Sequence, residues 1–149
     1  MALPLLACAD LAKMSLDGTW DFSFARGVEL PAAKVDFAAT DKIVVPGCFD
    51  MMPKWYAQRG LAHYRRTFTL EKPVLNAFLK VKGCGLPAKF FLDGKEVATS
   101  RLAYSTLELE LGALSAGAHT LVAALDNNLT GDLDLVYKPN YDFYLAGGF

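Results

Sequence analysis

Along the chain, apolar and polar positions alternate with a period of two, and no window of about 11 residues carries a convincing helical stripe. In "GTWDFSF", Trp20, Phe22 and Phe24 alternate with Asp21 and Ser23, as on a strand whose outer face is wet. "DKIVVPG" runs Ile43, Val44 and Val45 into Pro46-Gly47, where the strand must stop because proline has no ladder donor. "HYRRTFTL" sets Tyr64, Arg66, Phe68 and Leu70 on one face and His63, Arg65, Thr67 and Thr69 on the other. "AFLKVKG" and "AKFFLDGKEVATS" follow, and Asp93-Gly94 between Leu92 and Lys95 marks a tight hairpin, since both turn positions need positive φ. "STLELELGAL" turns Leu107, Leu109 and Leu111 inward and Glu108 and Glu110 outward. "SAGAHTLVAALDNN" supplies a turn at Gly117 and a strand with Leu121, Ala123 and Leu125 on one face. The pattern predicts an all-β protein of about eight short antiparallel strands, a jelly-roll-like β-sandwich.

Two stretches escape the alternation. "CFDMMPKWYAQRGLA", Cys48 to Ala62, reads as a long connection rich in aromatics, and such loops in compact domains often carry function. The other is "NLTGDLDLVYKPNYDFYLAGGF", from Asn128 to Phe149. Within the strands, Arg66 shares an apolar face with Tyr64, so its guanidinium requires a carboxylate or carbonyl partner. An ion pair pinning a sheet end is the structural expectation and ligand contact the alternative.

Composition narrows the partners. The 149 residues hold 15 Lys and Arg against 16 Asp and Glu, a formal charge of −1, so nothing draws in a phosphate backbone and nucleic acid is not an expected partner. The hydrophobic share is 53%, high for a free domain, which points to apolar surface packed against a neighbouring domain. No run approaches the roughly 18 to 20 apolar residues of a membrane span. Cys8, Cys48 and Cys84 are far apart without CxxC spacing, which argues against a disulfide framework or a cysteine zinc site and for small buried hydrophobes. His63 and His119 lie in different segments and are expected as strand-surface or turn imidazoles, so neither metal nor cofactor is expected. The start, "MALPLLACAD", resembles the lipobox of a bacterial lipoprotein through Leu5-Leu6-Ala7-Cys8, but lacks the basic region and the longer apolar run of a secretory signal. A periplasmic or secreted location is the expectation and a cytoplasmic one the alternative.

The order of the pieces "SLDGTWDFSF", "IVVPGCFD", "GLAHYRRTFTL", "LKVKGCGLPAKFFLDGKEVATSRLAYSTLELEL", "GAHTLVAALDN" and "YDFYLAGGF" resembles the N-terminal sugar-binding domain of glycoside hydrolase family 2, the β-galactosidases, β-glucuronidases and β-mannosidases. The resemblance covers about residues 15 to 149 and leaves 1–14 as an N-terminal extension or signal remnant. It implies a galactose-binding-domain-like jelly roll that packs against downstream immunoglobulin-like and barrel domains of a parent glycosidase acting on a β-linked glycoside.

The same resemblance places the acid/base and nucleophile glutamates in the barrel, and no segment here matches them, so no residue of this chain is expected to be catalytic. A retaining glycosidase needs two carboxyl groups about 5 to 5.5 Å apart across the scissile bond, whereas Asp132 with Asp134, or Glu108 with Glu110, read as solvated pairs. Asp142-Phe143-Tyr144 fits the family's Asp–aromatic–aromatic motif, which implies that Asp142 hydrogen-bonds sugar hydroxyls beside Tyr144; capping a turn is the alternative. Trp55 and Tyr56 are candidate sugar-stacking platforms, with interdomain packing as the alternative. The arginine and closing strand that the family places after Gly148-Phe149 are absent, which leads to the expectation of an unpaired edge and edge-to-edge dimerisation.

Overall fold

A computed structural model describes residues 12–28, 37–39, 41–85, 87–101 and 105–128. Within them lie eight strands: β1 (Gly18–Arg26), β2 (Asp41–Val45), β3 (Gly60–Leu70), β4 (Val74–Val81), β5 (Ala88–Leu92), β6 (Lys95–Ser100), β7 (Leu107–Leu114) and β8 (Gly117–Asp126), with one short 3-10 turn at Phe49–Met51. The all-β reading and the number of strands agree with the alternation in the sequence.

Six strands form one sheet in the order β2-β1-β3-β8-β5-β6, and β4 pairs with β7 in a second; every pairing is antiparallel. The chain crosses between sheets after β3, returns for β5 and β6, leaves again for β7 and comes back as β8, which slots between β3 and β5. That exchange makes a jelly-roll-like sandwich.

Its core lies on the inner face of the larger sheet, where Trp20, Phe22, Ile43, Val45, Tyr64, Phe90, Leu121 and Leu125 are buried and Leu79, Leu107 and Leu109 of the small sheet pack on them. Phe22 meets Tyr64 edge-on at 5.1 Å between centroids, a favoured aromatic geometry. The β5–β6 hairpin turns at Asp93 (φ 50°) and Gly94 (φ 78°), the positive φ pair that Asp-Gly tolerates. Arg66 lies on the inner face and donates to the Thr19 carbonyl, the carbonyl alternative of the two partners its position requires.

The outer face departs from a simple wet surface. Leu61, Phe91, Val122 and Ala124 form a second buried cluster with Phe37 packed on it, so the first half of β3 and the second half of β8 are covered on both sides. The run Leu121-Val122-Ala123-Ala124-Leu125 has the unbroken apolar character of such a strand rather than strict alternation. Both histidines are buried as well, His63 at 8% exposed and His119 at 6%. This corrects their expected surface placement: His63 sits in the doubly covered half of β3, and His119 packs on Phe68 at 5.6 Å.

Candidate functional site

The connection from β2 to β3 is shorter than its sequence suggests, because Gly60, Leu61 and Ala62 already belong to β3. β2 ends at Val45, joined to Pro46 by a cis peptide bond, and Gly47 follows where a Cβ would stand 2.3 Å from the Val44 carbonyl oxygen. The Phe49–Met51 turn then drops Phe49 into the core. Trp55 N–H and Tyr56 N–H both donate to the Met52 carbonyl, at 2.9 and 3.0 Å, and Gln58 N–H donates to the Trp55 carbonyl at 3.1 Å. These bonds wind residues 52–58 into a compact turn through Ala57, whose φ is 55°.

The adjacent aromatics of this turn part company. Trp55 is buried between Phe22 (6.0 Å) and Phe24 (5.2 Å), with the Lys54 ammonium 4.6 Å from its ring centroid. Lys54 in turn pairs with Asp41 of β2 at 2.8 Å. Tyr56 points the other way and is 68% exposed, and Met51 is 83% exposed. A pyranose packs its C–H face on an open ring, so the geometry needed for stacking is present at Tyr56 while the Trp55 ring is spent on the core.

The root of the turn is fixed by a residue for which the sequence reading assigned no task. Asn127, fully buried just past β8, accepts from Gly60 N–H through Oδ1 at 2.7 Å and donates from Nδ2 to the Gln58 carbonyl at 2.8 Å. Its own N–H reaches the Gly60 carbonyl at 3.0 Å. Asn128 extends the clamp, donating from Nδ2 to the Val28 carbonyl at 2.7 Å, and Gly27 N–H donates to the Arg59 carbonyl at 3.2 Å. At Gly60 itself a Cβ would fall 2.1 Å from the Ala25 carbonyl oxygen, so the residue has to be glycine for β3 to lie this close to β1. The signal in the sequence was the pair Asn127-Asn128 directly after an apolar strand, where side-chain amides commonly take over from ladder bonds.

The titratable groups nearby are shifted by their burial. Burial, then the neighbouring Asp50 carboxylate, pushes the Cys48 thiol up, which keeps it protonated and a poor nucleophile. Burial likewise raises the Tyr64 phenol well above its ordinary value. Glu108 pairs with Lys80 at 2.9 Å on the outer side of the small sheet, where it and Glu110 are exposed. Among the described residues, no three His, Cys, Asp or Glu side chains converge as a metal site would require. Asp142 and Tyr144, with Asp132, Asp134 and Cys8, lie outside the described residues. Tyr64, Arg66, Asp93 and Gly94 have the core and turn positions given above.

No protein-family model and no curated relative matches the chain. Solved structures do. A family 2 β-galacturonidase from Eisenbergiella tayi is similar over 88% of this chain at 27% identity, with a TM-score of 0.64. A β-glucuronidase from Faecalibacterium prausnitzii is similar over 91% at 22% identity and a TM-score of 0.66, and one from an uncultured Clostridium over 89% at 19% identity and a TM-score of 0.71. The chain spans 21%, 29% and 26% of those enzymes' own lengths. The family resemblance read from the sequence is therefore borne out at the scale of one domain, and it is consistent with the N-terminal domain of a family 2 glycoside hydrolase.

Proposed function

We propose, for a chain built like one domain of a family 2 glycoside hydrolase, that it serves as the sugar-binding domain of an enzyme hydrolysing O-glycosidic bonds. It recognises carbohydrate and does not cleave it. The observation that carries this reading is the exposed Tyr56 ring, held on a turn rooted in the middle of the sheet, in a fold similar to part of a β-galacturonidase at 27% identity. Asp142 and Tyr144 join the site on the strength of the sequence motif. The carboxylate would accept bonds from vicinal hydroxyls, and charge-assisted bonds of this kind are roughly twice as strong as neutral ones.

Two measurements test the proposal. The isolated chain incubated with nitrophenyl β-galactoside and β-glucuronide is expected to give no turnover; turnover abolished by replacing a carboxylate of this chain would overthrow the assignment. In an enzyme carrying the chain, Tyr56→Ala is expected to weaken substrate binding several-fold, since stacking of this kind contributes about 0.5 to 1.5 kcal/mol. Unchanged KM and kcat in both Tyr56→Ala and Asp142→Ala would leave the domain a packing module only.

A further inference from the structure

On the outer face of the six-stranded sheet, His63 lies in a row with Ser23 of β1 and Ala124 of β8, and Ala124 in turn faces Lys89 of β5. His63 is 8% exposed, and its buried Nε2 has no hydrogen-bond partner among the described residues. A buried donor or acceptor left in that state is costly unless something else is gained. What meets the imidazole is Phe37, whose ring is perpendicular to it, with 6.2 Å between centroids and 87° between planes. The same phenyl ring lies 4.6 Å from the Arg65 guanidinium carbon. One aromatic side chain thus covers both an orphaned imidazole and a cation.

Among the described residues, every strand packed beside His63 contributes charged groups. Arg65 follows on the same face of β3 and is held by Asp21 of β1 at 2.7 and 3.0 Å. Asp21 is also engaged by Lys42 of β2. Lys89 of β5 is paired with Glu96 of β6 at 3.4 Å. Asp126 of β8, opposite Leu61, accepts at Oδ1 from the N–H and the Nδ2 of Asn128, both at 2.8 Å. Among the described residues, the carboxylates on this face, Asp21, Glu96 and Asp126, are therefore each already paired. A proton on His63 would add a second cation beside Arg65 at a site largely removed from solvent.

We propose that His63 and Phe37 form an acid-released latch: the neutral imidazole keeps the phenyl ring docked on the outer face of the sheet, and proton uptake by His63 lifts the ring off, wets Nε2 and uncovers Leu61, Phe91 and Val122. Burial holds the docked imidazole below its ordinary 6.5. Undocking removes that burial, so the latch is closed at neutral pH and opens as pH falls below 6.5.

The test is an NMR titration of the full chain, following the His63 Cε1–H shift and the cross-relaxation between the His63 and Phe37 rings from neutral pH to about pH 4.5. The expected result is loss of the Phe37 contact with the same midpoint as His63 protonation, while the Trp20 and Phe22 resonances of the inner core stay native. Binding of a hydrophobic dye should rise with that midpoint. His63→Gln, which cannot take up the proton, should keep Phe37 docked throughout the range. Phe37→Leu provides a reciprocal check and should move the His63 midpoint up toward 6.5. Phe37 contacts that persist through His63 protonation, or that vanish at the same pH in His63→Gln, would overturn the latch, as would loss of the inner core at that midpoint.

Discussion

Asn127 shows how much a single buried amide can organise. It satisfies Gly60 N–H and the Gln58 carbonyl at once, and removing it orphans both groups away from water. Asn127→Ala is therefore expected to cost about 2 to 3 kcal/mol, read as a lower urea midpoint at unchanged slope. The sequence could show that an asparagine pair follows β8, but not that its partners lie 67 and 69 residues away in the chain. That long-range pairing is a product of the register between β3 and β8. Trp55 and Tyr56 make the same point. As adjacent aromatics they were indistinguishable in the sequence, and only the turn through Ala57 decides that one enters the core and the other faces water.

At the scale of an element, the β5–β6 hairpin is tied to β8 by a small charged network. His119 reaches the Ser115 carbonyl at 2.9 Å and the Asp93 carboxylate at 2.7 Å, while Asp93 also accepts from Thr120 N–H at 2.7 Å. The Ser115 carbonyl first, and the Asp93 carboxylate with it, raise the imidazole above its ordinary 6.5. Burial alone would raise Asp93, but the Thr120 N–H and His119 hold it below its ordinary 3.8. A raised base stabilises the fold fully below its unfolded value and ceases to do so as pH climbs through the folded one; a lowered acid does so above its unfolded value and ceases as pH falls. The hairpin is thus expected to be firmest between about pH 4 and 6.5. Thermal unfolding of His119→Gln against the parent should show a smaller loss of stability from pH 6.5 upward; equal slopes would mean the imidazole is neutral throughout. The hairpin itself was legible from Asp93-Gly94, since the turn chemistry is local. Its tie to His119 was not, because strand order is set by the whole sandwich.

At the scale of the molecule, the alternation matches the strands and the inner face seen among the described residues, yet it treated the outer face as wet. The difference is visible at Phe90 and Phe91, which point to opposite sides of β5 and are 0% and 1% exposed. Phe91→Ala is accordingly expected to cost as much as Phe90→Ala, about 3 to 5 kcal/mol, in chemical denaturation; a cost under about 1 kcal/mol for Phe91 would mean that the outer cluster adds little. Along β3, β8 and β5 the sheet is buried on both faces. That placement bears on the turn carrying Tyr56. Its root is fastened by Asn127 to strands covered on both sides, and its middle is pinned by Trp55 in the core. A ligand meeting Tyr56 would find a ring already held in position, with only side-chain rotation left to restrict. Were a ligand to bind there, most of the ordering cost that usually falls on a recognition loop would already have been met during folding.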